Sequence, residues 1–129
     1  MSQKQFHIDK AQRNEQFFLS HGLEASPFNE WAVIVLFYVA MHYVDAVLSQ
    51  DQQLQPNLRD PRNHSERNEG VAKCASLSPL FAVYGNLYDR SRDARYNKMK
   101  FPDHYLSNLK TFCYDPIRKH VRTVLALQP

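Results

Sequence analysis

The side chains best equipped for chemistry in this chain belong to its nine arginines and six histidines, and the densest group of them lies between positions 59 and 67. In Arg59-Asp-Pro-Arg62-Asn-His64-Ser-Glu-Arg67 an imidazole sits among three guanidinium groups. An imidazole titrating near neutrality can move the proton of an RNA 2′-hydroxyl, while a guanidinium offsets the charge developing on the phosphate. A His/Arg pair can therefore cleave RNA without a metal ion. In that chemistry His64 is the candidate general acid/base, and Arg59 or Arg67 the candidate stabiliser of the phosphorane. The competing reading makes the same segment a helix cap and loop anchor, for which polar and charged residues are ordinary choices.

Two further groups stand out. Arg90, Arg92, Arg95 and Tyr96 close a basic helical run, with Tyr88 one turn before Arg92. Arginines on successive turns beside an aromatic ring can hold a phosphate and stack a base, which makes these residues the candidate ligand- or RNA-binding set. Cations at a helix C-terminus also complement the helix dipole, so part of the run is explained without a ligand. His42 and Asp45, three residues apart and one turn beyond Tyr38, can neighbour one another on one helix face. A His bonded to an Asp fixes a catalytic tautomer, and it is equally how a core satisfies two buried polar groups. The large apolar residues around them favour core polar roles for His42 and Asp45.

Familiar enzyme motifs are absent: there is no Gly-rich phosphate loop, no Ser nucleophile elbow, no CxxC and no HExxH. Cys74 and Cys113 have no metal-ligand spacing and are expected as reduced core thiols. No metal and no cofactor are expected. The N-terminal MSQKQFHIDKAQRNEQ lacks an apolar signal region, so export is not indicated and a cytoplasmic location is expected. Net charge is +3, distributed as −3 over residues 1–58, +4 over 59–100 and +2 over 101–129. A positive excess confined to the later part of the chain suits a polyanionic partner.

The elements that must position these groups are helices. At 129 residues and 43% hydrophobic, the chain suffices for a single domain, residues 1–129, with a real core. Gly is scarce, no Asn-Gly or Asp-Gly turn occurs, and no alternating pattern marks a strand pair, so the fold is expected to be all-α. Trp31 to Leu48, WAVIVLFYVAMHYVDAVL, is apolar around nearly its whole circumference and must be enclosed. Asp45 within it and the lack of flanking cations argue for protein rather than lipid around it, and no membrane partner is expected. Ser26 and Pro27 read as its N-cap and first residue. A first helix is expected from Asp9 to Gly22, a loop over residues 51–63, and a third helix from an Asn63 cap with Glu66 in its first turn, running on through HSERNEGVAKCASL. The fourth starts at Ser78-Pro79 and carries Leu80, Tyr84, Leu87, Tyr88, Ser91 and Ala94 along one stripe. The fifth is capped by Asp103, turns Leu106, Leu109, Cys113, Ile117, Val121, Val124 and Leu125 inward, and is kinked or split by Pro116.

Three segments resemble a known family. FYVAMHYVDAVL is similar to the central helix of the small prokaryotic HEPN proteins, His64 with the following ERNEGV to one of their helix starts, and LYDRSRDARYNKMKF to the end of a later helix. The resemblance spans roughly residues 28 to 101. It implies a single antiparallel bundle of about five helices, commonly a homodimer. Many members are metal-independent ribonucleases of toxin-antitoxin and phage-defence systems; others bind nucleotides or support a nucleotidyltransferase partner without catalysis. The active members' signature is Arg, four to six residues, His. Arg59, Asp60 and His64 meet it, but before the third helix rather than on a later one. On the fourth helix Ser91 and Arg95 stand where the family has Arg and Asp. The function expected is that of a HEPN-like protein acting on RNA as a ribonuclease, or else that of a non-catalytic nucleotide-, phosphate- or partner-binding module.

Overall fold

In a computed structural model, residues 2–22, 28–96 and 101–127 are described, and among them there are helices and turns and no strand. Helix α1 spans Gln3–Ser20, α2 Asn29–Leu48, α3 Pro56–Arg59, α4 His64–Lys73, α5 Phe81–Tyr96, α6 Asp103–Leu109 and α7 Asp115–Val124. A 3-10 turn at Ser78–Leu80 leads into α5, and a π turn at Lys110–Tyr114 joins α6 to α7 as one continuous span. The chain is thus an all-α bundle of five long helical spans and the one-turn α3 among the described residues.

Helix α2 is the element the others enclose. Ala32, Val33, Leu36, Phe37, Val39, Ala40, Tyr43, Val44, Ala46, Val47 and Leu48 are all buried, and they lie on every side of it. Helices α1 and α5 pack along it most extensively, and the α6–α7 span covers much of the rest. By length and hydropathy α2 could cross a membrane, but 72% of its apolar window is buried inside the protein. Its start is the most exposed part, with Trp31 59% exposed, while Ile34, Val35, Tyr38, Met41 and His42 are half-buried. That start is tied down by Asn29, whose side-chain N–H donates to the Phe101 carbonyl at 2.6 Å and to the Asp103 carboxylate at 2.8 Å.

The helix boundaries follow local chemistry, with some departures from expectation. Helix α1 begins earlier than Asp9, because the Ser2 hydroxyl accepts from the Gln5 backbone N–H at 3.1 Å and caps it. Asp9 lies inside the helix and accepts from the Gln5 side chain. Gly22 ends it in the left-handed conformation, at φ 58. Ser26 and Pro27 lie outside the described residues, and Phe28 at the N-cap position of α2 makes no side-chain cap bond.

The stretch expected as a plain loop contains α3, opened by Pro56 and pinned by buried Leu54 and Leu58. The Asn63 cap is as read, its Oδ1 accepting from the Glu66 N–H at 2.8 Å. The Glu66 carboxylate reaches beyond the cap, to the Arg62 N–H and the Asn57 side chain. Helix α4 stops at Lys73, with Cys74 extended. At Gly70 the chains approach so closely that a Cβ would stand 3.1 Å from Leu48 Cδ2 and 3.4 Å from the Leu58 carbonyl oxygen.

Along the 3-10 turn and α5 the stripe is as expected: Leu80, Tyr84, Leu87 and Ser91 are buried, Tyr88 and Ala94 half-buried. In the last span Pro102 holds the N-cap position and Asp103 follows inside the first turn. Pro116 lacks an N–H for the Phe112 carbonyl, and the wide π turn directly before it absorbs that mismatch. Leu106, Leu109, Cys113, Ile117, Val121 and Leu125 face inward, whereas Val124 is 40% exposed, Leu125 taking the inner place in the final turn.

Removing the Phe37 ring from the centre of α2 should cost about 3–5 kcal/mol of stability, while Val124→Ser should stay within about 0.5 kcal/mol of the parent. Urea unfolding followed by far-UV circular dichroism reads both. A large loss at Val124 would contradict the exposed placement.

Candidate functional site

A charge buried at Asp45 organises the region. Its side chain is 3% exposed, and both oxygens accept from one guanidinium: Arg67 Nε donates to Oδ1 at 2.7 Å and Nη2 to Oδ2 at 3.0 Å. Burial pushes the Asp45 carboxyl up, against the pull of the Arg67 hydrogen bonds and charge. On Arg67 burial acts downward and most strongly of any one cause, and the hydrogen bonds and charge of Asp45, together with Tyr84 and Tyr38, hold the guanidinium up. A bidentate pair of this kind is the geometry that Arg supplies and Lys does not. It spends the arginine that sequence reading offered for phosphate.

His64, in the first turn of α4, lies against that pair. Its Nδ1 stands 3.4 Å from Arg67 Nη1. A guanidinium has donors and no acceptor, so Nδ1 faces it as an acceptor and the proton of the neutral ring resides on Nε2. The ring stacks on Tyr88 with centroids 4.5 Å apart and leans on Phe37 at 5.8 Å. Burial lowers its pKa, and the charges of Arg67, Arg95 and Arg92 lower it further. His64 is therefore neutral at neutral pH in a positive surrounding.

The basic end of α5 completes the array. Arg92 lies over the other partner of His64, its guanidinium 5.9 Å from the Tyr88 centroid, and is exposed with no hydrogen bond or ion pair among the described residues. Arg95 donates to the Tyr38 hydroxyl at 3.0 Å and lies between two rings, 5.7 Å from Tyr38 and 5.2 Å from Tyr96. Tyr96 is 70% exposed. Arg90 is held by Asp93 at 3.0 Å and donates to the Tyr105 hydroxyl at 3.4 Å. Asp89, Arg90, Arg92, Asp93 and Tyr96 border a cleft of about 260 Å³.

The candidate residues thus separate. His64, Arg92, Arg95 and Tyr96 belong to one connected run of rings and cations, with Arg67 behind it. Arg59 turns away and donates to Gln52 at 3.2 Å. His42 and Asp45 are neighbours, yet each takes another partner: His42 Nδ1 meets His7 Nδ1 at 3.1 Å, and Asp45 meets Arg67. Burial brings His42 down to about 4, with help from the His7 and Arg67 charges. Sequence reading missed His7 and the bond from Arg95 to Tyr38, because both join helices whose crossing no local pattern encodes. The two buried thiols, Cys74 and Cys113, are free.

Replacing Arg67 by Met strands the Asp45 carboxylate and should cost about 3–5 kcal/mol, whereas the double variant Asp45→Leu with Arg67→Met should lose markedly less. Chemical denaturation of the single and double variants measures this, and a double variant no more stable than Arg67→Met would contradict a closed ion pair. Comparison with family models, with curated proteins and with solved structures finds no match to this chain.

Proposed function

We propose that this protein is a HEPN-like binding module that recognises the phosphate and base of a ribonucleotide, free or in RNA, on the face formed by His64, Tyr88, Arg92, Arg95 and Tyr96. The observation that carries this reading is the contact of Tyr88 with both Arg92 and the tilted ring of His64, a cation with no hydrogen bond or ion pair among the described residues and a neutral imidazole donor joined by one ring. Arg92 supplies a charge-assisted donor for a phosphate oxygen, and His64 Nε2–H a second donor beside it. Tyr96, exposed next to Arg95, offers a plane on which a base can stack.

The ribonuclease reading, with His64 as general acid/base, is the second one. It is favoured by the cations around His64 and disfavoured by the tautomer. A histidine base needs an acceptor at its far nitrogen, as a carboxylate provides, so that the reacting nitrogen carries a lone pair. Here the far nitrogen meets a donor that can never accept. Arg59 and Arg67, bound to Gln52 and Asp45, would leave charge stabilisation to Arg92 and Arg95. A homodimer, a cytoplasmic setting, and a place in toxin-antitoxin or phage-defence biology with a nucleotidyltransferase or antitoxin partner belong to the same proposal through the resemblance. Exposed Phe17, Leu19 and Trp31 support self-association, and the free thiols support a reducing compartment.

Fluorescence anisotropy with a labelled oligoribonucleotide in EDTA tests the reading. Binding should weaken steeply with salt, and Arg92→Ala or Tyr96→Ala should each lower affinity about tenfold or more. Wild-type protein that leaves anisotropy unchanged at tens of micromolar sinks the proposal. Intact RNA after long incubation is expected; metal-free cleavage lost in His64→Ala would transfer the conclusion to the ribonuclease.

Acid should strengthen phosphate binding. The free-protein pKa of His64 lies below its ordinary value near 6.5, so the ring gains its positive charge only as pH falls through that lower value. A bound phosphate raises the pKa of the ring, so affinity of the parent should rise as pH falls toward the free-protein value and level off below it, and should stay flat for His64→Gln. Light scattering should give a dimer mass at tens of micromolar, and a monomer there would remove the dimer from the proposal.

A further inference from the structure

On the side of α2 facing α1, two imidazoles point their Nδ1 atoms at one another 3.1 Å apart, His7 from α1 and His42 from α2. Asp45, one turn after His42 on the same face, brings a carboxylate oxygen so near that the three donor atoms all lie within 4.8 Å of one another. We propose that His7, His42 and Asp45 bind a divalent transition-metal ion of the zinc class, with solvent completing its coordination.

The chemistry of the donor set favours such an ion. Two nitrogens each about 2.0–2.1 Å from a tetrahedral zinc stand about 3.3 Å apart, so the observed pair needs to open only slightly to admit one. Two neutral imidazoles and one carboxylate suit a borderline ion and leave a position for water. His42 and Asp45 are related by i, i+3 on one helix, the spacing by which helices chelate ions in carboxylate–histidine bundles. His7 crosses from the neighbouring helix, so an ion would clip α1 to α2.

Arg67 is the obvious objection, since it donates to both Asp45 oxygens. Each carboxylate oxygen has two lone pairs, and the guanidinium uses one on each. Carboxylate ligands are commonly oriented by such an outer hydrogen bond. Arg67 does cancel the Asp45 charge, and a second carboxylate answers that: Asp60 lies near enough to act electrostatically on both His7 and Asp45. An ion at this site would fix Asp45, and through it Arg67 behind His64, without touching the phosphate-binding face.

The competing account of the short contact is an ordinary N–H···N hydrogen bond between two half-buried histidines. Titration of the full-length protein, first stripped with EDTA, with Zn²⁺ and with Co²⁺ separates the two. Under the proposal one ion binds per chain, Co²⁺ gives a visible ligand-field spectrum, and the imidazole ¹⁵N resonances of His7 and His42 shift at Nδ1 in the wild-type protein. His7→Ala and His42→Ala should each weaken binding at least about tenfold, while His104→Ala, an exposed histidine on α6, should leave it unchanged. Nδ1 resonances and a Tm that do not move at about tenfold excess of Zn²⁺ would overturn the site, as would binding that survives both substitutions. The wild-type resonances decide the matter even where a variant fails to fold. Because the RNA-binding test is run in EDTA, its outcome and this one are independent.

Discussion

A carboxylate on the innermost helix of a small bundle must be met by an opposite charge with its hydrogen bonds in place, and Asp45 meets that requirement through Arg67. The pair crosses from α2 to α4, so it dictates where α4 lies and how it is rotated. Gly70, one turn after Arg67, lets α4 approach Leu48 closely enough for the pair to close. With α4 so placed, His64 arrives at its first turn against Phe37 and Tyr88, and the basic end of α5 comes beside it. A buried pair of this kind adds little net stability compared with apolar residues of equal volume, yet breaking it is costly. Its contribution here is to register, and the arrangement of His64 and the basic end of α5 inherits that register.

What could be read from the sequence was what depends on near neighbours. The Asn63 cap is a three-residue interaction, and the α5 stripe is a repeat at helical spacing; both are as expected. The enclosed α2 was legible because no surface helix is apolar on every side. The start of α1 differs from expectation because Ser2 and Asp9 are both good caps in a polar stretch, with no apolar period between them to decide. Helix α3 is a single turn, too short for any period to register, and its reality rests on Leu54 and Leu58 finding the core. Val124 was on the right face by spacing, and the end of the helix changed its surroundings.

The site was legible as a set of residue types and not as a set of partners. Arg59, His64 and Arg67 look equivalent to a phosphate when read as text. Three-dimensional packing gives Arg59 to Gln52, Arg67 to Asp45, and only His64 to the same array as Arg92 and Arg95. The bonds that decide this run between residues 22 or more positions apart, except for that of Arg59. No propensity or capping rule reaches such distances, since they depend on how helices cross. The same limit hid His7, which lies on the long, polar α1 and becomes interesting only opposite His42.

Catalysis at His64 therefore turns on one proton. Had the group at His64 Nδ1 been a carboxylate, the imidazole would be a base with its charge supported; because it is a guanidinium, protonating the ring places two cations in contact. Burial lowers the pKa of the ring most, and the charges of Arg67, Arg95 and Arg92 add to that cost. A bound phosphate reverses the balance, since its negative charge is what the two cations and the imidazole lack together. In the proposed phosphate-binding reading the array takes up a proton along with the anion, and that coupling suits recognition of a phosphate better than repeated transfer of a proton through a catalytic cycle.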